Sequence, residues 1–194
     1  MQMCSVCTAL SPVTCRMSFI GLLGSNPESE GIQKWISSLQ NIQGGTPLKP
    51  DIKVFQELVY HSYPNLGLSL EYLKTAERIT LDAIHIYNRH GQHGENADGT
   101  FNGYLDLPIT LSRGDDPNRI SISVASGMTA KEFVEALGEP SRKGGGQGPS
   151  SGSINIWCDW TNIGLMVEFG GSIARGPDAW DQGREAIWKE LTFY

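Results

Sequence analysis

Apolar and polar residues alternate with period two along residues 68–72 and again along 165–169. This places Leu68, Leu70 and Tyr72, and likewise Leu165, Val167 and Phe169, on one face of a strand. Each run follows the same phrase, an aromatic residue, then Asn, an aliphatic residue and Gly: Tyr63, Asn65, Leu66 and Gly67 in one copy, Trp160, Asn162, Ile163 and Gly164 in the other. Asn and Gly both tolerate positive φ and suit a tight reversal, so each segment predicts a β-hairpin with a half-buried second strand. Residues 82–87 and 189–194 alternate in the same way and predict a closing strand for each half.

Helical spacing appears elsewhere. Thr129 with Glu132 three residues on is a capping box, Phe133, Ala136 and Leu137 follow at i, i+3 and i+4, and Gly138 with Pro140 stops the helix. Phe19 to Pro27 reads like Phe133 to Ser141, which predicts a first helix over roughly 9–23, with Pro12 limiting how early it begins. A further helix is predicted over Glu30–Gln43 from Ile32, Trp35, Ile36 and Leu39. The two halves align Gly24 with Gly138, Gly67 with Gly164 and Tyr87 with Tyr194. The expected fold is therefore α+β, two tandem repeats of helix, antiparallel hairpin and strand. Repeat one spans 1–90, a Gly/Asn-rich linker 91–103, and repeat two 104–194, with the sheets either packed on each other or joined into one. Unshared stretches at 30–43 and 170–184 are where individual function is expected.

Composition narrows the partners. The chain has 194 residues, a formal net charge of −6 and 39% hydrophobic residues, which gives no footprint for nucleic acid or anionic lipid. No apolar run approaches the roughly 20 residues of a membrane helix, so no membrane partner is expected. The N-terminus lacks a basic segment followed by an uninterrupted apolar one, and a cytoplasmic location is expected. Cys4, Cys7 and Cys15 crowd the N-terminus without a second ligand pair for zinc, and read as reduced thiols.

The phrase from Gly127 to Ser141, Gly-Met-Thr-x-x-Glu-Phe-Val-x-x-Leu-Gly-Glu-Pro-Ser, resembles the SmpA/OmlA-type unit of small outer-membrane lipoproteins. The tandem arrangement resembles the β-lactamase inhibitor protein family. The resemblance implies helices packed on one face of an antiparallel sheet, with the other face or its loops gripping a protein. It does not extend to a lipoprotein signal or to assignable disulfides, so neither membrane assembly nor β-lactamase inhibition is carried over.

Candidate chemistry is sparse. His90 and His93 with Asp98 could form a loop metal site, but a solvated linker accounts for them better, and no metal or cofactor is expected. His61 and His85 read as structural histidines on strands, and Cys158 as a strand thiol. Gly144 to Gly146 precede a strand rather than a helix, so they lack the dipole of a phosphate loop. Glu71 and Glu168 hold equivalent positions and could meet near a pseudo-twofold axis as an acid/base pair, or each face solvent. The aromatic residues Tyr60, Tyr63, Trp157 and Trp160 on the first hairpin strands, with Trp180 in the Ser172–Gly183 loop, are the expected anchors of recognition, joined by Glu168 and Arg175. The function expected is protein binding, as an inhibitor, immunity or adaptor protein. The alternative is an enzyme or small-ligand binder with a groove between the repeats lined by Trp157, Trp160, Asp159, Glu168 and Arg175.

Overall fold

The computed structural model describes residues 19–45, 48–90, 101–113, 120–146 and 154–194. The strands β1 (Asp51–Val54), β2 (Leu58–Tyr63), β3 (Leu68–Lys74) and β4 (Ile79–Tyr87) form an antiparallel meander. A separate two-stranded ribbon follows, β5 (Ile109–Arg113) with β6 (Ile120–Val124). The strands β7 (Arg142–Gly144), β8 (Trp157–Trp160), β9 (Leu165–Phe169) and β10 (Trp188–Phe193) form a second meander. Pairing of β4 with β10, from Ile84 opposite Phe193 to Tyr87 opposite Glu190, joins the meanders into one eight-stranded sheet ordered β1-β2-β3-β4-β10-β9-β8-β7. The protein is thus an α+β molecule built on a single large antiparallel sheet.

Both central hairpins turn the same way. Pro64–Leu66 and Thr161–Ile163 each make one 3₁₀ turn that ends on a left-handed glycine, Gly67 at φ 64° and Gly164 at φ 60°. Each glycine then accepts a backbone hydrogen bond from the end of the chain's closing strand: Tyr87 donates to Gly67 at 2.9 Å and Tyr194 to Gly164 at 3.1 Å. Glycine is required at Gly67 for space as well as φ, because a Cβ there would lie 2.5 Å from the Tyr104 nitrogen and 2.6 Å from the Asn102 oxygen.

Helix α1 (Glu30–Ile42) begins at Ser29, whose hydroxyl accepts from the Ile32 amide, and buries Ile32, Trp35, Ile36 and Leu39. Helix α2 (Ala130–Leu137) carries the full Thr129–Glu132 capping box and buries Phe133, whose ring lies 6.0 Å from Phe169 and 6.2 Å from Trp160. Full burial of Phe133 contributes on the order of 2–3 kcal/mol. Helix α3 (Ala179–Gln182) is a single turn. All three helices feed their buried residues into the same cluster as Leu68, Leu70, Tyr72, Val167, Phe169 and Phe193. The helices therefore lie on one side of the sheet.

Several elements depart from the expected pattern. Of the helix expected over 9–23, only residues 19–23 fall within the described residues, and Phe19–Leu22 there form a 3₁₀ turn in which Phe19 stacks on Trp35 at 5.3 Å. Residues 91–100 of the expected linker, with His93 and Asp98, and the cysteines Cys4, Cys7 and Cys15, lie outside the described residues. The end of that linker is packed rather than solvated: Asn102 donates to the Pro64 carbonyl at 2.9 Å, Tyr104 to that of Tyr87 at 2.9 Å, and Tyr104 is buried. The strands β1, β5, β6 and β7 are not among the expected elements, although Ile109-Thr-Leu-Ser and Ile120-Ser-Ile-Ser-Val alternate apolar and polar residues with period two. Buried Asn88 adds a polar tie, its amide donating to the Ser126 carbonyl at 2.7 Å and to that of Trp188 at 2.8 Å.

Candidate functional site

Cross-strand partners share a face, so register sorts the side chains. On the side away from the helices one row crosses all eight strands: Asp51, Ser62, Ser69, His85, Thr192, Met166, Asp159 and Arg142. A flanking row runs Tyr87, Glu190, Glu168, Trp157, and another runs Ala83, Glu71, Tyr60, Lys53. Unlike the helix side, this face is largely polar.

His85 sits at its centre, where β4 meets β10. Its Nδ1 lies 2.8 Å from Glu190 Oε1, and its Nε2 lies 3.1 Å from Glu71 Oε2. Two ring nitrogens that both face carboxylates must both carry protons, so the ring is an imidazolium held between two glutamates. Burial acts to lower the His85 pKa, but the hydrogen bonds to Glu190 and Glu71 outweigh it and raise the value to about 9. The hydrogen bond from His85 is in turn the main reason that Glu71 lies below the usual carboxylate range. Tyr60 stands beside Glu71, and burial first, then Glu71, pushes its phenol up to about 12. His85 is therefore charged and the phenol neutral at physiological pH, and this imidazole is not in the form of a general base.

Similar pairings run outward. Glu168 Oε1 accepts from Asn155 at 2.6 Å and from Lys189 at 3.1 Å, and Arg175 donates to Asn155. Asp159 is buried and accepts from Arg142 at 2.5 Å and from the Tyr194 hydroxyl at 2.6 Å. Toward the other edge the Ser62 and Ser69 hydroxyls lie 3.0 Å apart. The carboxylates of β3, β8, β9 and β10 on this face are thus tied to fixed partners.

The anchors expected from sequence divide between the two sides. Tyr60, Trp157 and Glu168 belong to the polar face, and Arg175 reaches its margin through Asn155. Tyr63 and Trp160 do not: Tyr63 opposes Leu68, Trp160 opposes Leu165, and both are buried among core residues. Trp180 is 42% exposed on the helix side, so within the Ser172–Gly183 loop it is Arg175, and not Trp180, that reaches toward the polar face. Of the residues expected to line a groove between the halves, Trp157, Asp159 and Glu168 share the polar face and Arg175 its margin, while Trp160 points to the other side.

Glu71 and Glu168 do not meet. They lie on β3 and β9, with β4 and β10 between, which at strand spacing is a separation of roughly 14 Å. What converges at the centre is instead His85 with Glu190, and Glu190 belongs to no constellation expected from sequence. A signal is present, since β4 and β10 both read as closing strands. Cys158 is buried on the helix side, where burial raises its thiol to about 11, well away from a reactive thiolate. Among the described residues no group of three His, Cys, Asp or Glu side chains is set to hold a metal, and no helix is long and apolar enough to cross a membrane. Comparison of the chain with protein-family models, with curated proteins and with solved structures finds no match.

Proposed function

We propose that the chain is a protein-binding module built from two tandem repeats, and that the polar face of the sheet grips the partner. One observation carries this reading: a charged Glu71–His85–Glu190 clamp lies at the centre of a helix-free face, with Tyr60 and Trp157 on either side. Aromatic residues held on strands supply contact area at low entropic cost, and carboxylates already paired do not have to be reorganised on binding. The duplication is supported by the matching 3₁₀ turns, the two left-handed glycines and the mirrored strand order. Five carboxylates on this face, Asp51, Glu71, Asp159, Glu168 and Glu190, stand against the four cations Lys53, His85, Arg142 and Lys189, in keeping with the chain's net charge of −6. A partner segment combining apolar and basic side chains complements it.

The test is comparative capture from cells that express the chain. Wild type is expected to retain one protein in stoichiometric amount, Tyr60→Ala with Trp157→Ala to weaken that complex about thirtyfold, and Trp180→Ala to leave it unchanged. Retention that survives the double substitution, or that is lost in Trp180→Ala alone, would refute the reading.

A further inference from the structure

On the helix side, remote from the polar face, the second meander encloses a half-open cavity of about 280 Å³. Its floor is Cys158 and Phe169 of the sheet with Ile156 just before β8, all presenting buried apolar atoms. Ala130 and Val134 of α2 form one wall, and Trp180 with Gly183 forms the other. An apolar cavity of roughly 150 Å³ is enough for a single benzene ring, so this one suits a fused or two-ring system.

The rim carries charges of both signs. Lys131, Lys143 and Arg184 stand there against Glu135 and Glu139. Lys131 is paired with Glu135 at 3.7 Å, and Arg184 leans on Glu185 at 3.4 Å. Lys143 differs, since among the described residues its ammonium meets no carboxylate and instead lies 5.6 Å from the centroid of the Trp180 ring. Register explains its direction: Lys143 opposes Cys158 across β7 and β8, so it leans over the cavity rather than toward the polar face. The Trp180 indole is anchored at the mouth by its Nε1, which donates to the Gly145 carbonyl at 3.3 Å. A flat ring seated against the indole would lie next to an ammonium that, among the described residues, meets no carboxylate.

We propose that the cavity binds a small aromatic molecule carrying one anionic group, its rings over Ile156 and Phe169 and its anion at the Lys143 ammonium. This site is independent of the protein-binding face and stands or falls separately.

Anilinonaphthalene sulfonate is the probe, with uncharged phenylnaphthylamine as its comparator. Titration of the folded chain is expected to give saturable one-to-one binding with blue-shifted emission. Val134→Trp, which fills the cavity, is expected to weaken it at least about tenfold, and Val134→Phe serves the same purpose if the larger side chain prevents folding. Lys143→Ala is expected to weaken the sulfonate about fivefold and to leave phenylnaphthylamine unchanged. Unsaturable binding, binding indifferent to both Val134 substitutions, or equal loss of the two probes in Lys143→Ala would overturn the proposal.

Discussion

His85→Leu is expected to cost about 3 kcal/mol at neutral pH, because it leaves Glu71 and Glu190, only 16% and 20% exposed, facing one another without the cation between them. The loss has a pH signature. A histidine whose folded pKa is raised from 6.5 to about 9 contributes stability that is fully present below pH 6.5 and disappears as pH rises through about 9. A shift of that size corresponds to about 3 kcal/mol across the window. Glu71, held below its ordinary value chiefly by His85, acts in the opposite sense, its contribution being lost as pH falls through its folded value. Urea unfolding at a series of pH values should therefore show wild type weakening between pH 6.5 and 9 while His85→Leu stays flat there. Parallel curves for the two proteins would rule out a charged clamp at His85.

The second large effect is expected at the hairpin turn. Gly67→Ala should cost about 3 kcal/mol or more, combining a left-handed backbone with a Cβ pressed 2.5 to 2.6 Å from the backbone of residues 102–104. The built-in control is Gly24, which also has positive φ, 82°, but has no atom within 4 Å of the point a Cβ would occupy. Gly24→Ala should cost only about 1 kcal/mol. Thermal unfolding of the pair separates backbone strain from collision, and equal losses would mean that the 102–104 segment yields. Gly164→Ala is expected to resemble Gly67→Ala, since its Cβ would collide with the Tyr194 carbonyl.

Elements that leave a periodic or capping signature are legible in the sequence. Helix α1 follows from Ile32, Trp35, Ile36 and Leu39, α2 from Thr129 and Glu132, and the central strands from alternation after Gly67 and Gly164. The sheet's rims do not follow. β7 is only Arg142–Gly144 and has no apolar residue, while β1 is four residues long, too short for the alternation of Ile52 and Val54 to stand out, and all four are exposed.

Tyr63 and Trp160 depart from expectation for a different reason. Aromatic identity alone suggests a recognition surface, but the face assignment carries across each turn, so Tyr63 must share the face of Leu68, and Trp160 that of Leu165. The clamp itself needs strand order, which no local pattern encodes. His85 and Glu190 are 105 positions apart and meet only because β4 and β10 are neighbours.

The same order explains why the face has a fixed centre. The two meanders meet only at β4 and β10, where His85 lies opposite Thr192, and the charge is placed on one side of the junction alone. Position 85 is thus where two similar meanders become different.

A charged His85 that holds this face ready for a partner is the central claim. Its most direct test is an NMR titration of the His85 ring nitrogens in the full chain. Both nitrogens are expected to remain protonated through pH 8 and to titrate near pH 9. A single-proton ring at neutral pH, titrating at or below 6.5, would contradict it.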